Sequence, residues 1–115
     1  MSSPFVWFDN IGKNRQKTSR FLTGFLGLQE QDVGSMTMMV TPGSGPFAGV
    51  TDPMADVSGW VPYIEVDDLG NSAKEAVSHG ASLVAENMEG PAGNATFIRD
   101  PGGSVMALWK RAPAK

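Results

Sequence analysis

The run Gly59–Gly80, GWVPYIEVDDLGNSAKEAVSHG, decides how the chain folds. It opens on Trp60, Val61, Tyr63, Ile64 and Val66, rich in the aromatic and β-branched types that fit a pleated, half-buried surface. Two carboxylates follow, Asp67 and Asp68, either of which can accept hydrogen bonds from the free N–H groups of a helix's first turn. Leu69, Ala73, Ala76 and Val77 then recur at helical spacing, and Gly80 closes the segment where a left-handed residue costs glycine little. A strand feeds a capped helix.

The same order occurs once before, between Phe5 and Gly27, and a gapless superposition pairs Trp7 with Trp60 and Gly27 with Gly80, both pairs 53 residues apart. Phe5, Val6, Trp7 and Phe8 read as a buried strand, Asn14 as an N-cap, and Phe21, Leu22, Phe25 and Leu26 as an apolar stripe on the first helix. Residues 1–4 are expected to be a loose tail.

Each copy continues into three further strands. After Gly27 these are Leu28 to Val33, Met36 to Val40 with its alternating apolar positions, and Phe47 to Val50 beyond the turn-forming Thr41–Pro46. Asp52–Gly59 is polar and turn-rich, a linker within one domain. After Gly80 come a strand at Ser82 to Ala85, a loop from Glu86 to Asn94, and strands at Ala95 to Arg99 and Val105 to Trp109. The last two are joined by Asp100-Pro101-Gly102-Gly103, where Asp can close an Asx-turn and Gly accepts positive φ. Lys110 to Lys115 reads as a frayed basic tail. The expected fold is α+β, one domain over residues 1–115 with βαβββ modules at about 5–51 and 59–110. Neither module buries a sheet face alone, so the two are expected to form one curved mixed sheet around a cleft, helices outside.

Composition narrows the function. The 115 residues carry nine Lys and Arg against twelve Asp and Glu, a net charge of -3 that argues against a nucleic-acid partner. The one basic cluster, Lys13, Arg15, Lys17 and Arg20, reads as a solvated helix face. No apolar run approaches the ~20 residues of a membrane span. No signal peptide is visible at the start, so the expected location is cytoplasmic. Cysteine is absent and histidine occurs once, at His79, which excludes thiolate chemistry and leaves too few imidazoles for the usual zinc or iron site. His79 falls at a helix C-terminus, which places the one imidazole a Ser-His-Asp triad could use away from the cleft. The glycine-rich pieces PGSGPFAG and DPGG lack the strand-to-helix setting and the Lys of a phosphate loop.

Phe21–Gly27 (FLTGFLG), Tyr63–Asp68 (YIEVDD), His79-Gly80-Ala81 and Thr96–Leu108 (TFIRDPGGSVMAL) together resemble the vicinal-oxygen-chelate superfamily, which holds glyoxalase I, bleomycin-resistance proteins and extradiol dioxygenases. The resemblance spans nearly the whole chain and implies the duplicated βαβββ fold and a homodimer. In metal-dependent members, His, Glu or Gln ligands lie on the first and last strands of each unit. Carried over, those positions fall on Trp7, on Val61 or Trp60 beside it, on Ala107, and within Phe47 to Val50, none of which offers a metal a donor. No metal or cofactor is therefore expected.

Strand alternation assigns Trp7 and Asp9, Val61, Tyr63 and Glu65, and Val105, Ala107 and Trp109 to the cleft side, with Val6, Phe8, Ile64, Val66, Met106 and Leu108 under the helices. Aromatic walls with a few polar groups suit a small-molecule pocket. The expected ligand contacts are Trp7, Asp9, Val61, Tyr63, Glu65, Ala107 and Trp109. A buried Asp9 or Glu65 would be the candidate general base. The resulting expectation is a metal-independent protein of the bleomycin-resistance kind that binds a small organic molecule. An enzyme of lyase, isomerase or dioxygenase type is the alternative, and a structural protein whose aromatics fill its own pocket is a third.

Overall fold

A computed structural model describes residues 4–54 and 56–113. The expected tail at residues 1–4 therefore lies outside the described residues except for Pro4, as do residues 114 and 115 at the other end. The elements run β1 (Phe5–Ile11), α1 (Arg15–Leu26), β2 (Gln29–Val33), β3 (Met36–Val40), β4 (Pro46–Thr51), β5 (Gly59–Glu65), α2 (Leu69–Ser78), β6 (Ser82–Glu89), β7 (Gly93–Arg99) and β8 (Val105–Arg111). This is α+β architecture in two successive βαβββ modules. By contact the chain divides into two compact units, one of residues Trp7–Val61 and one that begins at Pro62 and also takes in Phe5 and Val6.

In the first unit the strands lie in the order β2-β3-β4-β1. β1 runs parallel to β4, with Asp9 opposite Gly49, while β3 is antiparallel to both β2 and β4. α1 starts because the Asn14 side chain accepts the Lys17 N–H at 3.0 Å, and it stops at Gly27, whose φ of 68° is left-handed. Its inner face packs Leu22 against Met39, Ala48 and Val50, with Leu28 alongside. Burying side chains of this size contributes about 1.5–3 kcal/mol each. The expected stripe is narrower than its sequence pattern. Phe21, Phe25 and Leu26 remain exposed, and the two rings stack on each other with centroids 5.4 Å apart.

The second unit repeats the plan as β5-β8-β7-β6, with β5 parallel to β8 and antiparallel pairing elsewhere. Asp68, not Asp67, caps α2, accepting the Asn71 N–H at 2.9 Å, and His79 is the C-cap before Gly80 at φ 106°. Ala73, Ile98 and Leu108 form the core under α2, with Val66, Leu69, Ala76, Ala81 and Met106 packed on it. The turn after β7 closes as its residues require. Asp100 Oδ1 accepts from the Gly102 and Ser104 N–H groups at 2.9 and 3.0 Å, and Gly103 has φ 101°.

Four expectations need correction. β1 continues through Asp9 to Ile11, beyond the aromatic run that marked it. Val6 and Phe8 are exposed and do not pack under a helix. Glu86–Asn94 is not a loop: β6 extends to Glu89 and β7 starts at Gly93, because a bulged hairpin absorbs the polar residues. Lys110 and Arg111 belong to β8, and Lys110 Nζ donates to the Asp67 carbonyl at 2.7 Å.

The Asp68 cap also changes the internal repeat. Trp7 stands seven residues before Asn14, and seven before Asp68 stands Val61. The strands therefore match one residue out of step with the glycine-to-glycine superposition. Val61 is buried and Trp60 is 51% exposed, so Val61 is the structural counterpart of Trp7.

Gly93 is the tightest point of the β7–β8 pair. A Cβ there would overlap the Lys110 carbonyl oxygen and stand 2.9 Å from Trp109 Nε1. Because the obstacle is partly backbone, Gly93→Ala is expected to destabilise the fold by about 1–3 kcal/mol, the usual cost of overpacking. Urea denaturation of the variant checks this, and an unchanged midpoint would contradict it.

Candidate functional site

In the first unit, Trp7 and Asp9 project from the same face of β1 because they are two residues apart. The Trp7 indole Nε1 donates to Asp9 Oδ1 at 2.7 Å. Asp9 is only 4% exposed. It lies over Gly49, its partner on β4, where an added Cβ would stand 2.8 Å from Asp9 Oδ1 and 2.6 Å from the Met36 sulfur. The missing side chain at Gly49 makes room for a carboxylate and a thioether together. A carboxylate removed from water needs donors, and the indole is one of them.

In the second unit the register sets out two rows across β5, β8 and β7. Tyr63, Ala107 and Phe97 form the first, and Glu65, Trp109 and Ala95 the second. Ala107 is fully buried, and across its small side chain Tyr63 and Phe97 meet edge to face, centroids 5.9 Å apart at 86°. In the second row Trp109 reaches over Gly93, and the Arg111 guanidinium stacks on the indole, 5.0 Å from its centroid. Arg111 also donates from Nε and Nη2 to the two oxygens of Glu65 at 3.2 and 3.3 Å. The hydrogen bonds that Arg111 donates to Glu65, and then the charge of Glu65, raise the Arg111 pKa above its ordinary value.

The expected site residues thus separate by environment. Asp9, Val61, Tyr63 and Ala107 are buried, Trp7 and Trp109 half-buried, and Val105 half-buried on the Ala107 face. Glu65 is exposed and ion-paired with Arg111. Of the two carboxylate candidates only Asp9 is withdrawn from water. His79 caps α2 at the surface.

Phe97, Met36, Gly49, Gly93 and Arg111 were not among the expected residues. Counting outward from the Asp100–Gly103 turn would have placed Phe97 opposite Ala107. Nothing local in the sequence distinguishes Gly49 or Gly93 from the turn glycines, since their role is set by what lies across the sheet.

The residues do not fit a metal. Trp7, Val61 and Ala107 present an indole carbon frame, an isopropyl group and a methyl group, without a lone pair to donate. Among the described residues no three His, Asp or Glu side chains come together as a ligand set.

No protein-family model and no curated protein matches the sequence. Solved structures do match. A chain described as an NAD-dependent benzaldehyde dehydrogenase from Legionella pneumophila superposes with a TM-score of 0.66 at 13% identity, covering 92% of this chain and 98% of that one. Methylmalonyl-CoA epimerase from Mycobacterium tuberculosis gives 0.62 at 21%, covering 98% and 93%. A glyoxalase/bleomycin resistance protein/dioxygenase superfamily member from Vibrio splendidus gives 0.59 at 10%, covering 90% and 96%. The chain has the vicinal-oxygen-chelate fold. At these identities the likeness extends to the fold and stops there.

Restoring a ligand-type side chain tests how the site is filled. Ala107→Glu would place a carboxylate between Tyr63 and Phe97, and is expected to cost on the order of 3–5 kcal/mol as a buried uncompensated charge. Added Zn or Ni should not recover the lost stability in thermal denaturation. Metal-dependent recovery would contradict the assignment of Trp7 and Val61 as non-ligands.

Proposed function

We propose that this protein binds a small organic molecule without a metal, on strand faces taken each within its own module: that of Trp7 and Asp9 in the first, and that of Tyr63, Glu65, Ala107 and Trp109 in the second. The supporting observation is the replacement of donors at the fold's ligand positions by Trp7, Val61 and Ala107, beside half-buried indoles and a buried carboxylate. Aromatic surface with a few fixed polar groups is what orients a small organic ligand. Arg111 joins this set on the proposal, since its stacking on Trp109 presents a cation beside an aromatic platform. The protein is further proposed to work as a cytoplasmic homodimer, with no nucleic-acid or membrane partner.

Native mass spectrometry of protein purified gently from its host tests both parts. The expected spectrum shows a dimer carrying a bound organic mass that is lost in Trp109→Ala. A monomer would overturn the dimer, and a ligand-free mass insensitive to that substitution would overturn the binding.

The burial of Asp9 favours a second reading, in which the β1 face that carries it catalyses a lyase-, isomerase- or dioxygenase-type reaction with Asp9 moving a proton. If so, Asp9→Asn, which keeps the size and an acceptor oxygen for the Trp7 indole, should abolish turnover of the identified ligand while leaving its affinity within about threefold. Equal turnover by both proteins would rule Asp9 out.

A further inference from the structure

The second unit contains a cavity on the helix side of its sheet, on the face opposite Tyr63 and Ala107. It has a volume of about 680 Å³ and lies between α2, β6 and β7. Leu69, Ala73 and Val77 form one wall, successive turns of a single α2 face, and Leu83 of β6 lies across from them. Val77 and Leu83 are both 44% exposed, so apolar surface stands open to solvent here. Cavities of about 300–1,000 Å³ are the size that holds small organic ligands.

The mouth is built rather than incidental. Ala85 opposes Phe97 and Met88 opposes Ala95, so Glu86 and Asn87 together stand against Thr96 alone. Such a bulge re-aims the side chains it carries. Asn87 takes φ 51°, its N–H donates to Thr96 Oγ1 at 3.0 Å, and its Oδ1 accepts from Asn94 Nδ2 at 2.9 Å. These contacts hold the bulge in one shape and set Glu86 at the cavity. Lys74, on α2, lines the same cavity. No ion pair within 4.0 Å joins Lys74 to Glu86, and neither has another partner among the described residues. One cation and one anion thus border an apolar hollow without neutralising each other.

We propose that this cavity binds a small apolar zwitterion, such as a dipeptide with two aliphatic side chains. Its carboxylate pairs with Lys74, its ammonium with Glu86, and its side chains cover Leu69, Ala73, Val77 and Leu83. A simple fatty acid would satisfy Lys74 and set its charge against Glu86, while an amine would do the reverse. The zwitterion matches both.

The test is titration of the intact protein with leucyl-leucine, followed by methyl NMR. Expected are shifts confined to the Leu69, Ala73, Val77 and Leu83 methyl groups. The N-acetylated and C-amidated forms should bind more weakly, and glycyl-glycine should not bind. Lys74→Met should raise the Kd for leucyl-leucine by about threefold to fivefold, as for an exposed ion pair, and leave that of the amide unchanged. Glu86→Gln should do the same with the N-acetyl form as its insensitive partner. Both side chains are exposed, so thermal melting should confirm intact variants. Absence of shifts at millimolar ligand would overturn the proposal. So would equal binding of the blocked forms, or shifts at the Trp7 and Trp109 indoles instead.

Discussion

The parallel pairing of β5 with β8 is the constraint on which the second module depends. With Tyr63 opposite Ala107 and Ile64 opposite Leu108, every second residue of both strands is sent to the same side. Leu108 meets Ala73 and Ile98 under α2, while Ala107 occupies the row in which Tyr63 and Phe97 touch. A slip of one residue would turn the apolar set towards water and place Ala107 where α2 needs bulk. Asp68 contributes to holding this register, because the cap fixes where α2 begins and so how its stripe meets β8.

Much of this was legible in the sequence because the signals are local. Asn14, Gly27, Asp68 and the Asp100–Gly103 turn act within a few residues of themselves, and each appears in the fold as its chemistry dictates. The harder elements were those governed by distant contacts. β6 looked like a loop from Glu86 onward because charged and amide residues are poor strand formers, yet pairing with β7 keeps it extended through a bulge. Phe21 and Phe25 looked like core because they share the helical period with Leu22, but among the described α1 residues Ser19 and Leu22 are the buried ones, and both rings stay exposed.

The strand faces that carry the candidate residues were legible, their interactions less so. Alternation placed Trp7 with Asp9 and Tyr63 with Ala107. It could not show that Glu65 would be taken by Arg111, a residue that read as frayed tail, nor that Asp9 and Met36 would both stand over Gly49. Both outcomes follow from cross-strand neighbours whose identity depends on register. The choice between Val61 and Trp60 shows the same limit, since a glycine-to-glycine superposition misplaces the strand when one helix cap moves by a single residue.

Gly49 bears on how the chain can change over time. The space above it is already divided between Asp9 and Met36, so any side chain at position 49 requires both of those side chains to yield. The order of substitution matters. A lineage that trades Asp9 for a smaller residue still meets the Met36 sulfur at this position, so the glycine is freed only once both neighbours have changed. Keeping either the buried carboxylate or the thioether therefore keeps the glycine beneath it.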